Sequence, residues 1–253
     1  MIRVKTPDGI DEELLRPRTR QVLLELTKRC NLRCDYCATS QPDYVGLDLE
    51  LDVESLIPSL ERLRPREVQV SGHGETTVLS GWSAFVDRLV DRGCPVSLAS
   101  NFAREFSGEE IAALARLERL TVSCDTADPE LFRDLRKGGR LEQLELNFRR
   151  LRALFTDPGP RPHIAINCVV SKRTIYGLPG LVDWAADQGA DCIAFIQLIP
   201  NSAAGGMEDL ALEGLSDTEV GTRLAAARDR ARARGLDVHF LGAHLERVVE
   251  AAS

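Results

Sequence analysis

The sequence contains no apolar run approaching the roughly 18 residues that a membrane-spanning helix requires. Its first residues, Met1-Ile2-Arg3-Val4-Lys5-Thr6-Pro7-Asp8, have neither the apolar stretch nor the small-residue cleavage site of a signal peptide, so a cytoplasmic location is expected. Positive charge is in deficit, with 32 Lys and Arg against 39 Asp and Glu and a net charge of -7. Backbone phosphates and anionic lipids need clustered Lys and Arg, which argues against a general nucleic-acid or membrane-surface partner. Lysine is scarce, at Lys5, Lys28, Lys137 and Lys172, while Arg, Ala and Leu abound, a composition consistent with a GC-rich genome. There is no low-complexity segment, internal repeat or linker. The one Pro/Gly-rich interruption, Asp157-Pro158-Gly159-Pro160-Arg161-Pro162, reads as a turn before a strand. Seven cysteines are an odd number, and only three cluster, so a disulfide framework does not fit.

What is present suits one large core: 253 residues, 43% hydrophobic and 28% charged. Short β-branched runs alternate with longer amphipathic stretches. The predicted strands are Val22–Thr27, Glu67–Ser71, Val96–Ser100, Leu120–Cys124, Ile164–Val170 and Ile193–Ile199. Helices are predicted over Val53–Arg62, Trp82–Arg92, Gly108–Arg116, Leu141–Leu154, Leu178–Gln188 and Asp217–Arg234. Each carries apolar residues at spacings of three and four, as in Leu144, Phe148, Leu151 and Phe155. A short strand near Asp237–Phe240 and a helix over Leu245–Ala251 are expected to close the chain. Strands separated by helices imply crossovers and a parallel sheet, hence an α/β fold. Periodicity does not separate an open doubly wound sheet from a curved partial barrel. In either, functional residues gather at the carboxyl ends of the strands.

The first strand runs directly into Thr27-Lys28-Arg29-Cys30-Asn31-Leu32-Arg33-Cys34-Asp35-Tyr36-Cys37. Thiolates are soft ligands suited to zinc or iron–sulfur clusters. Three Cys leave one coordination position without a protein ligand. A structural zinc is normally closed by a fourth residue, for which His73 or a further Cys is the alternative; an iron–sulfur cluster can leave one iron open. At Cys30, Cys34 and Cys37 the chain resembles the radical S-adenosylmethionine (SAM) superfamily. That resemblance implies that the three Cys hold a 4Fe–4S cluster, that the fourth iron chelates SAM, and that Tyr36 lies near the adenine.

Later strand ends extend the resemblance. Ser71-Gly72-His73-Gly74-Glu75-Thr76 is similar to the superfamily's Gly-Gly-Glu segment, which receives the SAM ammonium; His73 stands where a second Gly is usual, and the register could centre on Gly74-Glu75 instead. Ser100-Asn101 is similar to a Thr-Asn-Gly segment, and Ser123-Cys124-Asp125 to a Ser-x-Asp segment whose two polar residues share one strand face. Asp128–Phe132 and Arg136-Lys137-Gly138-Gly139 continue the likeness. Asn167 in Ile166–Lys172 and Gln197 in Phe195–Pro200 match the fifth- and sixth-strand patterns of the branch holding molybdopterin-precursor enzymes and peptide-modifying enzymes with auxiliary clusters.

The family fold implied is a partial (β/α)6 barrel of parallel strands, here over residues 22–200. An N-terminal arm (1–21) precedes it, and the last barrel helix and a short strand/helix extension (201–253) belong to the same domain. The implied SAM contacts are Tyr36, Gly72, Gly74, Glu75, Ser100, Asn101, Ser123, Asp125, Asn167 and Gln197. By family analogy a flavodoxin or ferredoxin reduces the cluster, and SAM is cleaved to methionine and a 5′-deoxyadenosyl radical that abstracts a substrate hydrogen. His73 is a candidate acid or base. Cys124 and Cys168 are candidate hydrogen donors, with core packing the alternative for both; Cys94 and Cys192, near strand starts, read as core. No Cys follows Cys192, so an auxiliary cluster is not expected there, and epimerisation, elimination or rearrangement gains weight over net oxidation. The arm is short for a leader-peptide recognition domain. The expected substrate is therefore a small polar metabolite of sugar or aminoglycoside type in specialised-metabolite biosynthesis. The alternatives are a ribosomal-peptide-modifying enzyme, a glycyl-radical activating enzyme with a protein substrate, and a non-catalytic zinc protein. Oligomeric state is not readable from the sequence.

Overall fold

A computed structural model of the chain describes residues 21–40, 53–63, 65–156, 159–199, 207 and 209–251. The arm expected before residue 21 lies outside the described residues, as do 201–206. Seven parallel strands form one sheet: β1 (Gln21–Leu24), β2 (Glu67–Val70), β3 (Val96–Ser100), β4 (Arg119–Ser123), β5 (His163–Val170), β6 (Cys192–Gln197) and β7 (Asp237–Leu241). Between them lie α1 (Val53–Leu63), α2 (Trp82–Asp91), α3 (Gly108–Ala115), α4 (Pro129–Leu135), α5 (Leu141–Arg152), α6 (Leu178–Gln188) and α7 (Asp217–Arg234), and α8 (Ala243–Ala251) follows β7.

Strand order in the sheet equals strand order in the chain. Because parallel crossovers are right-handed, an unreversed order puts the helices on one face of the sheet. A doubly wound sheet would need a switch point where the order reverses. The fold is therefore a curved partial (β/α) barrel, as the family resemblance implies and periodicity alone left open. The short last strand is a full member of the sheet, paired with β6 from Cys192↔Asp237 to Ile196↔Leu241, so there are seven strands where the core pattern implied six.

Side-chain alternation divides each strand between two environments. Val68 and Val70, Leu98, Leu120 and Val122, Ile164, Ile166 and Val170, and Ile193 and Phe195 lie in the main apolar core with the helices. On the opposite face of the strands, facing the lumen, Gln69, Ala99, Thr121, Ser123, Asn167 and Ile196 are only partly buried. The α5 stripe docks as predicted, with Leu144, Phe148 and Leu151 fully buried.

Two features were not anticipated. Asp128 caps α4, its Oδ1 accepting from Glu130 N at 2.8 Å and Leu131 N at 2.9 Å, with Pro129 in the first turn. After α4 the chain turns back as a two-residue antiparallel ladder, Arg136–Lys137 against Arg33–Cys34. That ladder joins the fourth crossover to the cysteine loop. No helix among the described residues is long and apolar enough to cross a membrane.

Candidate active site

The three clustered cysteines sit on the loop leaving the carboxyl end of β1. Cys30 is exposed, Cys37 partly buried and Cys34 buried. Backbone turns shape the loop: Cys37 N donates to Cys34 O at 3.1 Å, and Ser40 N to Cys37 O at 3.0 Å. Leu32 N donates to Cys30 Sγ at 3.3 Å, and Cys37 Sγ lies 3.1 Å from Thr39 Oγ1. Burial pushes the Cys30 thiol up, and burial pushes the Cys34 thiol up to about 12 against the pull of Arg136. Negative charge at Cys37 adds to the rise at both Cys30 and Cys34, and negative charge at Cys30 adds to the rise at Cys34. Such thiols need a metal to be held as thiolates. No group of three or more His, Cys, Asp or Glu closes on a single ion among the described residues. Thiolates that each bind a different iron of a cluster have no need to.

Behind the loop lies a buried ion pair. Asp125 follows the end of β4, 1% exposed at the side chain, and Arg136 follows α4, 5% exposed. Arg136 Nε donates to Asp125 Oδ2 at 2.8 Å and Nη2 to Oδ1 at 3.1 Å. Val169 N of β5 donates to Oδ1 at 2.9 Å, and the Tyr36 hydroxyl donates to Oδ2. The Arg136 guanidinium also lies 5.8 Å from the centroid of the Tyr36 ring. Burial and the Asp125 charge push the Tyr36 phenol well above its ordinary range, so it stays a donor. Lys137 pairs with Asp35, and Asp35 N donates to Leu135 O at 3.0 Å.

In front of the loop, the segment after β2 closes down on it. Glu75 N donates to Arg29 O at 2.8 Å. Gly74 lies so near the loop that an added Cβ would meet the carbonyl oxygens of Thr27 and Arg29, the latter at 2.7 Å. It is the pair Gly74-Glu75, rather than Gly72-His73, that touches the cysteine loop. The buried Glu75 carboxylate faces the protein: Oε1 accepts from Thr77 N (3.1 Å), Thr77 Oγ1 (2.8 Å) and Ser100 Oγ (3.0 Å), and Oε2 from Asn101 N (2.6 Å). Asn101 Nδ2 reaches Cys30 Sγ at 3.6 Å and Asn31 Oδ1 at 2.8 Å. Tyr36, Gly74, Glu75, Ser100, Asn101 and Asp125 thus gather around the cysteine loop.

Other expected residues lie farther round the mouth. Ser123 and Asn167 are register partners on neighbouring strands and share the lumen face. Gln197 falls on the helix-facing side; its Oε1 accepts from His244 N at 3.2 Å, and it packs against Gly242, so it points to the β7–α8 turn. His73 is exposed and held by Glu25, whose Oε1 accepts from His73 N at 2.7 Å and lies 3.1 Å from Nδ1. Gly72 leaves room for that carboxylate, since a Cβ there would come within 2.7 Å of Glu25 Cδ. Cys124 and Cys168 are sealed in the core, donating to Thr126 O at 3.3 Å and Asp125 O at 3.6 Å. Burial pushes Cys124 up to about 12 and Cys168 well above its usual range. Cys192, at the start of β6, is buried as expected, and burial raises its thiol against the smaller opposing pull of Arg119.

Sequence reasoning passed over Arg136 and Glu25 as site residues. Glu25 carried no motif. Arg136 was visible inside Arg136-Lys137-Gly138-Gly139, but nothing in a sequence separates a buried Arg from the many on the surface.

A family model described as the radical SAM superfamily matches residues 24–188. Among curated proteins, the chain is 30% identical over 199 residues to GTP 3′,8-cyclase 2 of Pseudomonas aeruginosa, covering 75% of this chain and 58% of that protein. It is also 30% identical over 188 residues to GTP 3′,8-cyclase of Caulobacter vibrioides, covering 70% and 51%. The chain thus spans little more than half the length of these relatives. In fold it is similar to Streptococcus suis SuiB bound to S-adenosylmethionine, with a TM-score of 0.70 at 16% identity over 90% of this chain and 52% of that one. Methylornithine synthase (PylB) superposes with a TM-score of 0.57 at 13% identity, covering 94% and 79%.

Proposed function

The chain belongs to the radical SAM superfamily, and from that premise we propose that it acts on a small, polar, hydroxyl-rich metabolite, of sugar or aminoglycoside type, held in the barrel lumen. The enzyme's cofactors are a 4Fe–4S cluster and SAM. The three thiols of the Cys30–Cys37 loop fit the cluster: each is on one loop at a strand end, Cys30 is open to solvent, and N–H groups of Leu32 and Asn101 point at its sulfur. When bound, these cofactors supply a 5′-deoxyadenosyl radical, and the protein's part is to place reactants and keep water away.

The observation that carries the substrate class is the lumen face. Gln69, Ser71, Ala99, Thr121, Ser123, Ala165, Asn167 and Ala194 are small or uncharged polar side chains opposite the helix-packed face, and Leu23, Val169 and Ile196 are the larger apolar side chains beside them. The polar ones offer hydroxyls and amides to a ligand. Arg119 is the single Arg or Lys on that face among the described strand residues. A triphosphate is normally held by several cations, so the lining supports a sugar ahead of a nucleotide. GTP is nonetheless the second substrate to test, because the curated relatives are named for it.

SAM contacts are proposed for Ser123 and Asn167 by their position, and for the backbone at Gly72 and Gly74. The Glu75 carboxylate, already accepting four hydrogen bonds, supports the SAM ammonium through the backbone it fixes. Gln197 contributes through its main chain. His73, with Glu25 behind it, is the acid or base candidate at the mouth. We also propose a redox-neutral outcome with a flavodoxin or ferredoxin as electron donor. The test is isotopic. Perdeuterated sugars, aminoglycosides and GTP are each incubated with the reconstituted enzyme, and deuterium in 5′-deoxyadenosine is read by mass spectrometry. Transfer from a sugar supports the proposal; transfer from GTP alone overturns the substrate class.

A further inference from the structure

Arg136 is the one buried basic residue among the described residues. It lies behind the cysteine loop, its main chain is laddered to Cys34, and the Nε–Nη2 edge of its guanidinium faces both oxygens of Asp125. Asp125 in turn holds Tyr36, from inside the loop, and Val169 of β5. One carboxylate therefore ties together the cysteine loop, the end of β4, β5 and the segment after α4. Burying such a pair is costly in itself, since two charges lose their water. A strut alone could be built from apolar side chains, so the retention of full charges at this place calls for an electrostatic reason.

We infer that Arg136 and Asp125 are positioning residues that also set the reducibility of the cluster held by Cys30, Cys34 and Cys37. Reduction adds a negative charge to a group already surrounded by thiolates. In a buried setting nearby charges act with little screening, and charge close to an iron–sulfur cluster is a main determinant of its potential. The Arg136 guanidinium favours the reduced form and the Asp125 carboxylate disfavours it. The pair is close to neutral as a whole, so each partner hides the effect of the other.

The experiment is a reductive titration of the reconstituted holoenzyme, without SAM, followed by the electron paramagnetic resonance signal of the reduced cluster. Iron content and thermal unfolding are measured on each variant. Asp125→Asn leaves Arg136 unopposed, and its cluster titrates at a higher potential than wild type. Arg136→Met leaves Asp125 unopposed, and its cluster titrates at a lower potential. The double variant Asp125→Asn with Arg136→Met returns towards wild type. Arg136→Lys keeps the charge but loses the fork; it stays near the wild-type potential while unfolding at a lower temperature. Opposite shifts for the two single variants support the inference, because loss of a strut has no sign. Shifts of the same sign, or none with the cluster fully loaded, overturn it. Should Arg136→Met fail to fold, the direction at Asp125→Asn decides alone: upward supports, unchanged or downward overturns.

Discussion

Gly74 is packed on the main chain of Arg29, where a side chain of any size would meet the loop that carries Cys30. Gly74→Ala forces that contact apart. Overpacking of this kind costs about 1–3 kcal/mol, and here the strain falls on the cysteine loop. Iron bound per chain after reconstitution should fall sharply, together with the unfolding midpoint. Gly180→Ala in α6, where an added Cβ meets nothing within 4 Å, is the control and should match or exceed wild type in both.

Glu75 is an internal brace before it is anything else. Glu75→Gln replaces one acceptor oxygen with an amide that meets donors from Thr77 and Ser100 or from Asn101. Leaving such buried donors unpaired costs about 1–3 kcal/mol. Urea unfolding of the apoprotein should show that loss without any cofactor present. An unchanged midpoint would mean that the carboxylate is not held as described.

Much of this architecture was legible in advance. The predicted strands and helices occur within a few residues of their expected bounds, most helices by their apolar period and α7 by its capped start, Ser216 Oγ accepting from Glu219 N. The limits were tertiary. The β1 ladder stops at Leu24 rather than Thr27, since the chain leaves β2 there to enter the cysteine loop. Helix α4 lies in the family-like segment from Asp128, and its seven residues give too short a period to predict a helix. The site followed the same division. The cysteines and the Gly74-Glu75 turn announce themselves by spacing, whereas Arg136 depends on a ladder between residues about a hundred positions apart. Gln197 was assigned by motif, and only the strand's alternation shows its side chain turned to the β7–α8 turn.

Acid should loosen the α3 end of the molecule. Burial works to raise the Glu110 carboxyl, but hydrogen bonds from Arg104, Ser107 and Trp82 outweigh it and hold it below the usual range. A carboxylate lowered in the folded state adds stability that is complete above its unfolded value, roughly pH 4.3, and is lost as the pH falls through the folded value. The urea midpoint should therefore drop below that pH, and Glu110→Gln should flatten the drop while lowering stability at pH 7.

Thiol labelling separates core from loop. In the folded apoprotein Cys30 should react with iodoacetamide, while Cys124 and Cys168, sealed and held protonated, react only after denaturation. Peptide mass spectrometry reads the sites. Labelling of Cys168 in the native protein would favour its reading as a hydrogen donor over core packing.

The most direct test of the whole account is anaerobic. The protein is reconstituted with iron and sulfide, reduced with dithionite and given SAM, beside Cys34→Ala treated identically. The wild type should give iron–sulfur absorbance and 5′-deoxyadenosine, and the variant neither. Tightly bound zinc with no iron–sulfur absorbance in the wild type, or 5′-deoxyadenosine formed equally by Cys34→Ala, would contradict it.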